Sequence, residues 1–186
     1  MKKISIITPT FNEEENVASL IDAISKVAEK EKKYTFEHII IDNASTDNTV
    51  DKVKDLISQY PHVGLIVNNR NFGQLRSPFH ALTLVESDAT IQLCSDLQEP
   101  PELIHDFLRK WENGALVVGG VKESSEENRF LFFLRGIYYK LLATITEHEL
   151  ISQFTGFGLF DRTVIEEFRK INDLYPYSSC LLYTSP

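Results

Sequence analysis

Cysteine is nearly absent: Cys94 and Cys180 are the only two in 186 residues. Two cysteines neither complete a zinc site nor form a disulfide framework, so a reducing compartment is expected. Basic residues are in the minority, 19 Lys and Arg against 27 Asp and Glu, for a net charge of −8. That balance argues against a nucleic-acid partner, which calls for a basic face. No apolar run reaches the ~18 residues of a transmembrane helix. Lys2 and Lys3 lead into a short strand-like run, not into the apolar segment of a signal peptide. The loop after the first strand, "TPTFNEEE", has no glycine. This removes both a dinucleotide fingerprint and a phosphate-cradling P-loop there.

What is present describes one globular domain. The chain is 42% hydrophobic and 25% charged, enough for a core and unlike a disordered composition. A first strand runs from Lys3 to Thr8, ended by Pro9. Asn12, with Glu15 three residues on, reads as a capping box, and Glu13 to Glu15 fall in the first helical turn. Val17, Leu20, Ile21, Ile24 and Val27 then recur at helical spacing. "EHIIID", "VGLIVN", "TIQLC" and "ALVVGGV" read as four more strands. Between the last two, "PPELIHDFLRKWENG" reads as a helix started by its prolines and ended by Gly114. Strands alternating with helices predict an α/β fold with a mostly parallel sheet.

In such sheets ligands bind at the carboxyl ends of the strands. Polar residues gather there: "TPTFNEEE", "DNASTD", "NNRNFGQLR" and "SDLQEPPE" follow successive strands. A proline and an aromatic in the first loop suit the faces of a flat base. Asp96 suits a hard divalent cation, which takes oxygen ligands from one or two carboxylates and from substrate phosphates. Gln98 offers a neutral oxygen beside it. The plainer alternative is that Asp96 or Glu99 only caps the helix at Pro100.

At this point the sequence resembles the family 2 glycosyltransferases of GT-A fold, in the branch of dolichol-phosphate mannosyltransferase and the bactoprenol glucosyltransferases. "PTFNEEENV" matches P-x-[YF]-N-E-x-x-N, and "IIIDNASTDNT" matches [VI]-D-D-G-S-x-D-x-T. "NNRNFG" matches R-N-F-G, "SDLQEPPELI" matches D-A-D-L-Q-D-P-P-E-L-I, and "TGFGLFDRTVI" matches G-x-F-R-L-x-D-R. The resemblance covers residues 3 to about 178.

It implies a GT-A domain over residues 1–179 that moves a sugar from a nucleotide diphosphate sugar to a polyisoprenyl phosphate. Inversion at the anomeric carbon and dependence on Mg²⁺ or Mn²⁺ are implied with it. Pro9, Phe11, Glu13, Ile41, Asn43, Arg70 and Ser95 fall at nucleotide-sugar positions. Asp96 and Gln98 fall on the metal and diphosphate motif, where Cys94 replaces the family's first aspartate. "VKESSEENRFLFFLRGIYYKLLATI" lies where the family keeps its acceptor loop and an interfacial helix. There Lys122, Arg129 and Arg135 are candidates for the acceptor phosphate, since cations and above all the arginine fork suit it. A core helix with snorkelling ends is the alternative.

A hydroxyl acceptor needs a base to take its proton, whereas a phosphate monoester is already ionised. Phe157 stands where many relatives carry Asp. Asp161 is a fallback base, or else the cap of the helix "RTVIEEFRK". The resemblance places the catalytic domain on the cytoplasmic face of a cell-envelope membrane. Two other readings stay open: a family 2 enzyme acting on a saccharide hydroxyl, and a non-catalytic homologue that binds nucleotide sugars. The last residues, "CLLYTSP" (180–186), resemble a translated sequencing adapter. They imply an incomplete C-terminus whose restoration raises the melting temperature.

Overall fold

The computed structural model describes residues 1–121 and 154–171. Its elements run β1 (Lys2–Thr10), α1 (Val17–Lys30), β2 (Tyr34–Asp42), α2 (Thr49–Ile57), β3 (Val63–Val67) and α3 (Gly73–Leu84). They continue with β4 (Ala89–Gln92), α4 (Leu103–Glu112), β5 (Val117–Val121), β6 (Phe154–Asp161) and α5 (Arg162–Lys170). The described strands form one sheet in the order β3-β2-β1-β4-β6-β5. Pairings among β3, β2, β1 and β4 are parallel. β6 pairs antiparallel with both β4 and β5. No helix among the described residues is long and apolar enough to cross a membrane.

Alternation along the strands buries both faces. Ile4, Ile6 and Ile40 pack with Leu20, Ile21 and Ile24 of α1, Val53 of α2, and Ile104, Phe107, Leu108 and Trp111 of α4. Ile7 and Ile41 point to the other side, against Ala81 and Leu82 of α3 and Ile165 and Phe168 of α5. This is the apolar, two-sided burial expected of parallel strands.

Several boundaries differ from the sequence reading, each for a physical reason. β1 passes through Pro9 to Thr10. Leu93 N donates to Ile7 O and Asn43 N to Thr10 O, so odd positions of β1 face β4 and even ones face β2. The missing N–H of Pro9 therefore points toward β4 just past its last paired residue, where a ladder bond is not lost. α1 starts at Val17, not after Asn12, and Asn12 sits at φ 57 instead of capping.

A helix where only a loop was read, α3, begins at Gly73 (φ 86) and contains Pro78. Glycine and proline masked it as a break. β6 enters between β4 and β5, so β5 lies at the edge of the described sheet. The end of α4 is as read: Gly114, at φ 98, donates to Trp111 O, and Ala115 N reaches Lys110 O. That pair of bonds is a Schellman closure around a left-handed glycine.

Candidate active site

The loops at the carboxyl ends of β1 to β4, the edge where such sheets hold ligands in a crevice, are tied to each other. Asn12 N donates to Ser45 Oγ (2.8 Å), Glu13 N to Thr49 Oγ1 (2.8 Å) and Glu14 N to Asp47 Oδ2 (3.2 Å). In return Thr46 N donates to Asn12 Oδ1 and Asn48 N to Glu14 Oε2, both at 2.8 Å. The first and second loops are thus one zipped unit. Burial would raise the Asp47 carboxyl, but the bonds it accepts from Thr49 and Glu14 outweigh that and hold it below the usual range. Ser45, Asp47, Thr49 and Glu14 were not singled out from the sequence. Their signal is the density of hydroxyls and Asx residues in "DNASTDNT", the side chains that bond nearby backbone.

The other two loops are tied in as well. Ser95 Oγ donates to Glu13 Oε1 (2.9 Å), while Asn16 Nδ2 donates to Glu13 Oε2 (2.8 Å). Glu13 therefore bridges the first and fourth loops. Asn43 holds the third: its Oδ1 accepts from Phe72 N (2.9 Å) and Asn68 Nδ2 (3.2 Å). Its Nδ2 donates to Asn71 Oδ1 (2.8 Å) and Gly73 O (3.3 Å).

The expected nucleotide-side residues divide into two sets. Phe11 is 46% exposed, and the Arg70 guanidinium lies 4.8 Å from the Phe72 ring centroid, at an exposed position. Both are available to a ligand. Pro9 is half-buried opposite Ile41 in the β1–β2 ladder. The Ile41 side chain is fully buried with Ile7, Ala81 and Leu82, so it has no surface to offer a base. Asn43 is 5% exposed and turned inward.

Past β4 the chain makes a tight turn. Asp96 Oδ1 accepts from Gln98 N (3.1 Å), Leu97 adopts φ 54, and the side chains of Asp96 and Gln98 are exposed. The alternative that Asp96 or Glu99 caps a helix at Pro100 does not hold, because α4 starts at Leu103, after a turn closed on Pro100 and Pro101, with no side-chain cap. Burial, then the carboxylates of Glu99, Asp96 and Glu13, push the Cys94 thiol up to about 12. Among the described residues no three His, Cys, Asp or Glu side chains form a metal cage. Asp96 with Gln98 is a donor set of hard oxygens, which fits a divalent cation shared with substrate phosphates.

Asn12, Ala44 and Leu97 all have positive φ, and all three sit on crevice loops. Strain of this kind gathers where the surroundings over-determine a site. Ala44 (φ 63) occupies the glycine of the motif quoted above. A left-handed alanine costs about 1–2 kcal/mol, and glycine returns about 0.5–1 of that in chain entropy. Ala44→Gly is therefore expected to stabilise the protein by about 0.5–1 kcal/mol. A urea midpoint that stays level or falls would contradict this.

Asp161 is not in the crevice. It pairs with Ala89 at the amino end of β4, whereas Gly158 pairs with Gln92 at the carboxyl end. Three residues of strand, roughly 10 Å, separate the two. Asp161 caps α5 through Thr163 N (2.9 Å) and accepts from Trp111 Nε1 (2.7 Å). Burial would raise its carboxyl, but those bonds dominate and lower it. The fallback base is thus a structural cap. Phe157, one residue beyond Gly158, is 1% exposed, with its ring centroid 4.7 Å from that of Phe107. Gly120 makes room for it: a Cβ there would lie 3.0 Å from the Phe157 ring. Lys122, Arg129 and Arg135 lie outside the described residues, as does the 180–186 tail.

Residues 5–169 match the model of Glycosyl transferase family 2. An uncharacterized glycosyltransferase of Synechocystis sp. is 28% identical over 170 residues, covering 91% of this chain and 53% of that protein. A prophage bactoprenol glucosyl transferase homolog of Escherichia coli is 30% identical over 168 residues, covering 90% of this chain and 55% of that protein. The chain spans about half the length of such relatives. Among solved structures, the mannosyltransferase PcManGT of Pyrobaculum calidifontis, in complex with GDP-Man and Mn²⁺, aligns with a TM-score of 0.61 at 20% identity. That alignment covers 90% of this chain and 46% of the other, and the likeness is one of fold.

Proposed function

The chain belongs to glycosyl transferase family 2, with the GT-A α/β fold, and from that premise we propose a transfer of a hexosyl group to a polyisoprenyl phosphate. The donor is a nucleotide diphosphate sugar. Relatives named as bactoprenol glucosyl transferases support the acceptor class. The observation that carries it is Phe157, sealed against Phe107 where a hydroxyl-directed relative would keep a carboxylate. With Asp161 committed to α5, neither position supplies a base. A phosphate monoester needs none.

In the proposed reaction an acceptor phosphate oxygen bonds to the anomeric carbon from the face opposite the diphosphate. The carbon–oxygen bond to the diphosphate breaks, the nucleoside diphosphate leaves, and the anomeric configuration inverts. Phe11 lies against the base and Glu13 accepts from the nucleoside, while Ser95 orients Glu13. Arg70 faces the diphosphate. Asp96 and Gln98 would hold a Mg²⁺ or Mn²⁺, which when bound neutralises charge on the leaving diphosphate. Lys122, Arg129 and Arg135 are the proposed partners of the acceptor phosphate at the cytoplasmic membrane face.

The test is product analysis with labelled UDP-glucose or GDP-mannose, offered undecaprenyl phosphate or a neutral oligosaccharide. Label is expected in an acid-labile lipid phosphate. Label only in the oligosaccharide would sink the acceptor assignment. Glu13→Ala, which removes the bridge to Ser95, is expected to weaken UDP or GDP binding by about tenfold, as losing a hydrogen bond to a charged group does. Unchanged affinity in a calorimetric titration would remove Glu13 from the nucleotide site.

A further inference from the structure

Asn43 stands where the family's aspartate contacts the base, yet its side chain is spent elsewhere. It is 5% exposed, and the side-chain bonds it makes lead to residues 68–73. Its orientation is fixed by two backbone groups of opposite kind. Phe72 N is a donor, so the atom it meets is the amide oxygen. Gly73 O is an acceptor, so the atom it meets is the amide nitrogen. Asn71 Oδ1 fits the same arrangement, since it also accepts from Gly73 N (2.8 Å). Asn68 extends the network to Ser77 Oγ on α3 (2.9 Å).

An ionised aspartate cannot make this set. It would set an oxygen against Gly73 O and Asn71 Oδ1, with no proton to share. Asn71 can turn its amide over, but a backbone carbonyl cannot. The segment so held carries Arg70, packed on Phe72.

We propose that Asn43 is a positioning residue: it pins the 68–73 segment and so presents Arg70 to the donor's diphosphate, and it does not read the base. This rests on the donor reading above. It also makes a prediction that direct base contact would not. A protonated aspartic acid keeps one donor and one acceptor, so Asn43→Asp should hold the segment in part at low pH and release it as the acid ionises. Burial and the facing carbonyl oxygens raise that ionisation above the ordinary aspartate range. The charged or titratable groups on the surrounding elements are Asp42 on β2, which is bonded to Ser45, Arg70 in the segment, and Arg76 and His80 on α3. A wild-type control at each pH carries their titration.

The experiment compares wild type, Asn43→Asp and Asn43→Ser from pH 5 to 8. It follows amide hydrogen exchange of residues 68–73 and, in parallel, binding of UDP and GDP. Exchange is normalised to the pH dependence of the chemical rate. Asn43→Ser is expected to lose protection of the segment at every pH. Asn43→Asp is expected to lie between wild type and Asn43→Ser near pH 5, with one of the two donated bonds kept, and to match Asn43→Ser near pH 8. Affinity for the nucleotide that wild type binds should fall about tenfold with the same midpoint. Wild-type protection in Asn43→Asp at pH 8 would overturn the latch. A change in nucleotide preference with protection intact would overturn it too, since residue 43 would then touch the base. If wild type bound neither UDP nor GDP, the donor reading and the positioning role would both fall. The exchange pattern would then still decide whether Asn43 pins the segment.

Discussion

Asp96→Asn is expected to cut the transfer rate by at least about tenfold, roughly 1.4 kcal/mol of barrier, and to weaken Mn²⁺ binding in parallel. The substitution separates charge from structure. In the turn after β4, Asp96 Oδ1 accepts from Gln98 N. An asparagine oxygen accepts that bond equally well, so the turn survives and only the negative charge goes. Charge is what a hard divalent cation takes from the protein when phosphates fill the rest of its shell. The neighbouring Cys94 is a soft sulfur donor, ill suited to a hard Mg²⁺ or Mn²⁺. Asp96 should therefore matter more here than where two aspartates share the task. Cys94→Asp is expected to preserve or strengthen Mn²⁺ binding. A rate loss below tenfold in Asp96→Asn, with Mn²⁺ affinity unchanged, would reduce Asp96 to a turn former.

What the sequence made legible follows periodicity and short-range chemistry. The apolar runs of β1 to β4 and the apolar stripes of α1 and α4 were readable because burial demands them. So was Gly114, since a Schellman closure needs a left-handed residue at that point. The crevice was readable because polar loops recur at each parallel strand end. Side chains whose partners lie far along the chain were not. Asn12 reads as a cap from its neighbours, but Thr46, 34 residues on, is what it bonds. Asn43 and Ile41 match the family motif by position, but local pattern does not reveal that Ile41 is fully buried and Asn43 only 5% exposed. α3 was hidden by Gly73 and Pro78, because its stability comes from Ala81 and Leu82 packing on the sheet, not from propensity. The insertion of β6 between β4 and β5 is a matter of topology, which local pattern does not carry. It is also what moves Asp161 to the wrong end of the sheet for a base.

Acid should destabilise this protein well before its carboxylates protonate, through His38. That side chain is fully buried on β2. One ring nitrogen, Nε2, lies 3.0 Å from Thr8 Oγ1, and Nδ1 has no hydrogen-bond partner among the described residues. An imidazolium there would carry a buried charge with one N–H unmatched. Burial first, then the charge of His62, press its pKa from 6.5 down to about 3. At pH 7 the ring is neutral in both the folded and unfolded chain, so its stabilising margin is intact. As pH falls below 6.5 the unfolded chain binds a proton that the folded one refuses, and stability drops. The loss approaches about 1.4 kcal/mol per pH unit, or about 2 kcal/mol at pH 5. It levels off only below about pH 3, where the folded ring protonates as well. His62, lowered by burial and bonded to Ser25 Oγ, adds to the upper part of this window. The lowered carboxylates of Asp47 and Asp161 act in the same direction but only below their unfolded values, near pH 4. The interval from pH 6.5 to 5 therefore isolates histidine. His38→Gln removes the titration while leaving an amide to meet Thr8. It is expected to lower stability at pH 7 and to flatten the slope between pH 7 and 5 by about 2 kcal/mol. Urea midpoints at the two pH values measure the difference. If the variant keeps the wild-type slope, the acid sensitivity lies with another group.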